Sequence, residues 1–176
     1  MKLPDLTGKL IFAPALALAL ALTGLAQTAQ AQDLVFDTTG LAACFATADD
    51  KRDCIGMAAD ACMEASEYGY STVGMGGCLD KEFAWWDTQL NHNYQALMAL
   101  EKADDAEMAG DGFNAPKKAD ALRAMQRAWI PFRDATCDYE MSQWGGGTGG
   151  GPAVIGCMMR LSAEQTIYLA SSRQRD

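Results

Sequence analysis

Glu82-Phe-Ala-Trp-Trp-Asp-Thr-Gln-Leu-Asn-His-Asn-Tyr94 decides the fold of this chain. With its flanks it sets Leu79, Phe83, Trp86, Leu90, Tyr94 and Leu97 at steps of three and four. That spacing is one face of a helix, and the predicted helix runs from about residue 72 to 104. Gly74, Gly76 and Gly77 blur its start. A second stretch, Gln126-Arg-Ala-Trp-Ile-Pro-Phe-Arg-Asp-Ala-Thr-Cys137, repeats the mixture of aromatics, amides and charges. Its predicted helix begins near Pro116, since proline is tolerated in a first turn. Leu122, Met125, Trp129, Phe132 and Thr136 form its apolar stripe, and Pro131 should kink it near Arg127.

Polar residues border both stripes. Asp87, Asn91 and Tyr94 share one edge of the first helix; Gln126, Trp129 and Arg133 share one of the second. If the helices pack antiparallel, Asp87 can pair with Arg133 or Arg127, with Asn91 and Gln126 completing the hydrogen bonds. Half-buried polar groups need such partners, because each unpaired one costs about 1–3 kcal/mol. The expectation is an internal clamp that fixes helix register.

Around these two helices the chain reads as helical throughout. Gly40–Ala48 is a short helix, and Asp49 or Asp50 caps another that runs to about Ser66. Residues 103–115 read as an acidic loop, and Gly145–Gly151 as a flexible one. Ser162 and Gln165 have capping-box spacing, so the last helix is expected to start at Ser162. Only Pro152–Ile155 hints at a strand. The predicted class is all-α: a small disulfide-bonded helical bundle with two long antiparallel helices, short N-terminal helices and a C-terminal helix.

The six cysteines, 44, 54, 62, 78, 137 and 157, form an even set and read as a disulfide framework. Cys54 and Cys62 lie eight helical residues apart, about 12 Å, too far to bridge. Cys44 and Cys54 flank a polar turn, Cys62 and Cys78 flank Glu67–Ser71, and Cys137 and Cys157 flank the glycine run. Pairing across each reversal predicts 44–54, 62–78 and 137–157.

Lys2, Lys9, the apolar run Leu10–Leu25 and Ala29-Gln-Ala31 have the pattern of a secretory leader over residues 1–31. The run is shorter than the roughly 20 residues of a membrane span and contains Pro14. No cysteine follows Ala31 directly, so neither a lipid nor a membrane anchor is expected after cleavage. The predicted location is the periplasm or the exterior. Loss of two lysines and one aspartate with the leader takes the net charge from −9 to −10 over the 145 residues Gln32–Asp176. Such a charge argues against nucleic acid and is compatible with a cationic partner.

Catalytic chemistry has little to work with. His92 is the single histidine, and no serine is placed beside it as nucleophilic catalysis requires. There is no C-x-x-C, the methionines are scattered apart from Met158-Met159, and no metal or cofactor is expected. No catalytic residue is assigned and the chain is read as a non-enzyme.

The ordered set Cys78, Glu82, Trp86-Asp87, Leu90-Asn91, Tyr94, Gln126-Arg127, Trp129-Ile130, Arg133-Asp134, Cys137, glycine loop and Cys157 resembles the LprI-type lysozyme-inhibitor family. The resemblance covers about Cys78–Leu169. It departs at Ser162 and Gln165, where the family has Thr-x-x-Arg. It implies residues 78–176 as the family domain, with 32–77 an N-terminal helical extension packed onto it as a single globular unit. It further implies an exported inhibitor that binds a cationic peptidoglycan hydrolase. Asp104, Asp105, Glu107 and Asp111 of the acidic loop, and Trp144 of the glycine loop, are the two candidate partner surfaces, and no motif chooses between them. The alternative is a periplasmic interaction module with an endogenous envelope partner.

Overall fold

A computed structural model describes residues 33–111 and 114–173. The leader expected over 1–31 lies outside these. Among the described residues every regular element is helical: α1 (Thr39–Thr47), a 3-10 turn (Lys51–Cys54), α2 (Met57–Ala65), α3 (Thr72–Gly110), α4 (Lys118–Ser142) and α5 (Gly150–Ser172). None of these helices is long and apolar enough to cross a membrane.

α3 is the spine, roughly 58 Å long at 1.5 Å per residue. Its start is set by Ser71, whose hydroxyl accepts from the Gly74 N–H at 3.0 Å. A side chain at Gly74 would collide with the Tyr68 carbonyl, so the tight entry requires glycine there. α3 also absorbs the first part of the expected acidic loop, because Ala103–Gly110 remains helical.

The principal partner of α3 is α5, not α4. Ile155 faces Gly76, and Leu79 faces Gly156. Thr166 Oγ1 lies 3.3 Å from the Trp86 carbonyl oxygen, and Arg173 donates to Asn93 Oδ1 at 3.0 Å, both at a separation of 80 residues. Pairs that climb both helices together mean that α5 runs parallel to α3. α4 returns antiparallel between them, so the bundle is up-down-up. The expected antiparallel α3–α4 pair is present, but it is the lesser contact.

α5 begins twelve residues before the expected Ser162. Pro152 falls in its first turn, where a missing N–H costs nothing, and the stretch hinted as strand is helix. Ser162 is therefore buried mid-helix instead of capping, and Gln165 donates to Gln126 Oε1 at 3.0 Å. α4 begins at Lys118 and continues through Pro131. Its inner face is Ala119, Leu122, Gln126 and Cys137, while Phe132 is 61% exposed. The Cys137–Cys157 bond fixes this rotation by turning position 137 inward. All three disulfides join the predicted partners: 44–54, 62–78 and 137–157.

The segment expected as one helix over Asp50–Ser66 is broken at Ile55-Gly56, where Gly56 takes φ +96°. The break creates a bare helix N-terminus, and Glu82 of α3 fills it. Its carboxylate accepts from Gly56 N at 2.7 Å, Ala59 N at 2.7 Å and Trp86 Nε1 at 2.9 Å. Glu82 thus supplies across space the cap that Gly56 cannot, at the positive end of the α2 dipole. Trp86 is fully buried, and Phe45 and Trp85 meet it edge to face at 5.2 and 4.7 Å. Leu41, Ala58, Ala59 and Met159 close this part of the core.

Replacing Glu82 should expose the role of this cap. Glu82→Ala leaves three donors unpaired, two of them buried and one half-buried, and should cost about 3 kcal/mol in urea unfolding of the oxidised protein. Glu82→Gln, which turns an amide N–H toward an N–H, should also destabilise. Wild-type stability in the glutamine variant would rule out the carboxylate cap.

Candidate partner-binding surfaces

The residues singled out in the two stretches divide into core and surface. Glu82, Trp86 and Gln126 are buried, and Tyr94 and Trp129 pack at the margin of the α3–α4–α5 core. The expected clamp does not form. Asp87 accepts from Asn91 Nδ2 at 3.0 Å, one turn along its own helix. Arg133 pairs with its neighbour Asp134 through Nε at 2.9 Å and Nη2 at 2.7 Å, and its guanidinium lies over Trp129 at 5.0 Å. Arg127 is exposed. The reason is geometric: α4 is turned by its disulfide so that Gln126 faces α5, and the Gln126–Gln165 bond takes the bridging place foreseen for Asp87.

Asp104 and Asp105 have internal work. Asp105 Oδ1 accepts from Lys118 N at 2.8 Å and Oδ2 from Ala119 N at 3.0 Å, capping α4, whose own N-cap Lys117 offers no acceptor. Asp104 pairs with the Lys118 ammonium at 2.8 Å. Desolvation would raise the Asp105 carboxyl. The N–H groups of Ala119 and Lys118 and the charges of Lys117 and Lys118 outweigh it and hold the group below the ordinary aspartate value. Glu107 and Asp111 are the exposed members of the acidic set.

Trp144 stands at the other end of the bundle. α3 begins where α5 begins and α4 ends, whereas Asp104–Asp111 lie at the far end of α3, roughly 50 Å away along the helix. The two candidate partner surfaces therefore lie at opposite ends of the bundle. The turn between α4 and α5 is closely hydrogen-bonded, contrary to the flexible loop expected. Gly147 N donates to the Trp144 carbonyl at 2.8 Å, and Gly150 N to that of Gly147 at 3.1 Å. Gly145 and Gly146 take φ +57° and +83°. The Trp144 ring lies so close to Gly149 that a Cβ there would overlap it, yet Trp144 remains 53% exposed.

Sequence reading passed over Asn93 and Arg173, which join α3 to α5, and the capping role of Glu82. A usable signal existed for the latter. Cys78, Glu82, Trp86 and Leu90 fall at steps of four, which puts a carboxylate inside the core stripe. Among the described residues no three His, Cys, Asp or Glu side chains converge as a metal would need.

Two outcomes test these assignments. Asp87→Ala should change unfolding free energy by less than about 0.5 kcal/mol, as for other polar sites outside the core. Asp105→Asn should lower stability at neutral pH. Because the folded carboxyl titrates below the 3.8 of a free aspartate, its contribution is full above that value and fades as pH falls through the lower folded one. The gap between variant and wild type in thermal melts should therefore close in acid.

The sequence model of the family described as "Lysozyme inhibitor LprI" matches residues 62–169, from α2 to the end of the α5 core. An uncharacterised protein of Rhizobium meliloti is 29% identical over 99 residues, 56% of this chain and 71% of its own. An uncharacterised 17.7 kDa protein from the puhA 5′ region of Rhodobacter capsulatus is 27% identical over 120 residues, 68% of this chain and 74% of its own. No solved structure matches.

Proposed function

The chain belongs to the LprI family of lysozyme inhibitors, and we propose that it acts as an exported inhibitor that binds a cationic peptidoglycan hydrolase and blocks it. The family match is the observation that carries this reading, since it spans α2 to α5 and so includes both long-helix motifs. Three disulfides and the family are those of an extracytoplasmic protein; the periplasm is the proposed site of action. Charge supports the partner class. An acidic protein is steered toward a cationic enzyme, and the attraction weakens as salt shortens the screening length to about 10 Å at 0.1 M. The inhibitor role makes the protein a binder of an enzyme, with no reaction of its own.

The oxidised protein, titrated into a turbidity assay of a cationic lysozyme on bacterial cell walls, should inhibit at about micromolar concentration, where the binding free energy is near −8 kcal/mol. Inhibition should fall as salt rises. Full lysis at micromolar protein, at low and moderate salt, would remove the reading for the enzyme tested. A pull-down from periplasmic extract would then seek an endogenous envelope partner.

A further inference from the structure

The end of the bundle that carries Trp144 has a composition unlike the rest. Residues 141–159 contain no charged side chain, and Glu140 and Arg160 bound this stretch. Residues 53–80 and 134–159 contain no Lys, Arg or His. Arg160 does not break the pattern, since it is engaged by Glu140 at 2.8 Å and Glu164 at 3.5 Å. Glu64, Glu67, Asp80 and Asp138 are exposed around this end. Bare aromatics stand at the same end of the bundle as Trp144: Tyr68 and Tyr70, on the turn before α3, are 59% and 64% exposed.

We infer that this end is the inhibitory surface: the uncharged α4–α5 turn enters the substrate cleft of a cationic hydrolase with Trp144 as anchor, and the surrounding carboxylates meet the enzyme's basic rim. The inference rests on the inhibitor reading above and names its contact surface. Chemistry decides between the two ends. Glycoside hydrolases of this kind keep two carboxyl groups in the cleft. An acidic segment pushed into that cleft would meet like charge, which disfavours the Asp104–Asp111 end. A neutral aromatic turn meets none, and a saccharide cleft already accommodates flat apolar rings. Architecture supports the same end. Binding costs less when the inserted group is already ordered, and here the turn is closed by its own hydrogen bonds, by the Trp144 ring on Gly149 and by the Cys137–Cys157 bond at its base. A half-exposed tryptophan held in place belongs to the residue class that dominates interface energetics.

The test measures inhibition and direct binding of a cationic lysozyme by the oxidised wild type and three variants of it. Trp144→Ala should weaken both ten-fold or more. Thr148→Glu, which puts a charge on the exposed turn without removing the anchor, should do likewise. Glu107→Gln/Asp111→Asn at the opposite end should stay within two-fold of wild type. Circular dichroism of each variant checks the fold, and Thr148→Glu serves if Trp144→Ala does not fold. A short chitooligosaccharide that occupies the cleft should displace the protein. Wild-type inhibition that both turn variants retain, or that the sugar fails to compete with, would overturn this surface and leave the inhibitor reading standing. A wild type that binds no cationic lysozyme would overturn both.

Discussion

Two carboxylates on one helix hold this fold together. Glu82 and Asp105 sit 23 residues apart on α3, and each accepts the free N–H groups at the start of another helix. α2 starts after a glycine and α4 after a lysine, so neither brings its own acceptor. A short helix with an unsatisfied N-terminus is marginal in water. The nine residues of α2 are therefore helical because α3 is beside them. Glu82 is the more demanding of the two, being fully buried. A buried charge is tolerable only when its hydrogen bonds are complete, and three donors meet it.

With α3 as the reference, the remaining helices follow from a few contacts. α5 lies along it in parallel, close where Gly76 and Gly156 remove side chains from the interface. α4 closes the three-helix core, and its rotation is fixed by covalent bonding at Cys137 and by the Gln126–Gln165 bond. The buried polar groups along these interfaces are few and specific. They define which turn of each helix meets which, a task that apolar packing alone performs loosely.

The helical class, the disulfide pairing and the apolar face of α3 were legible in the sequence because each depends on local spacing. Leu79, Trp86, Leu90 and Leu97 recur with the helical period wherever the partner stands. What was not legible depends on rotation and on distance along the chain. Phe132 completes a convincing stripe on paper, yet the bond at Cys137 turns it to water. Asp104 and Asp105 look like loop residues beside Gly110 and Gly112, yet the helix continues and makes Asp105 a cap. Ser162 and Gln165 have the spacing of a helix start, but Pro152 is equally suited to one and lies earlier. Trp144 stands out in the sequence as a surface candidate; that it packs on Gly149 at the end opposite the acidic segment follows only from the helix directions.

The order of the disulfides bears on how the molecule is made. The pairs 44–54, 62–78 and 137–157 are consecutive and do not cross, and their loops of 10, 16 and 20 residues are short enough to close at small entropic cost. A chain emerging from its N-terminus presents its cysteines two at a time, each with its native partner next in line. Oxidation in order of appearance reaches the final connectivity without reshuffling. Glu82 emerges four residues after Cys78, so the second bond and the cap of α2 become available almost together, before α5 arrives to add Met159 to that core.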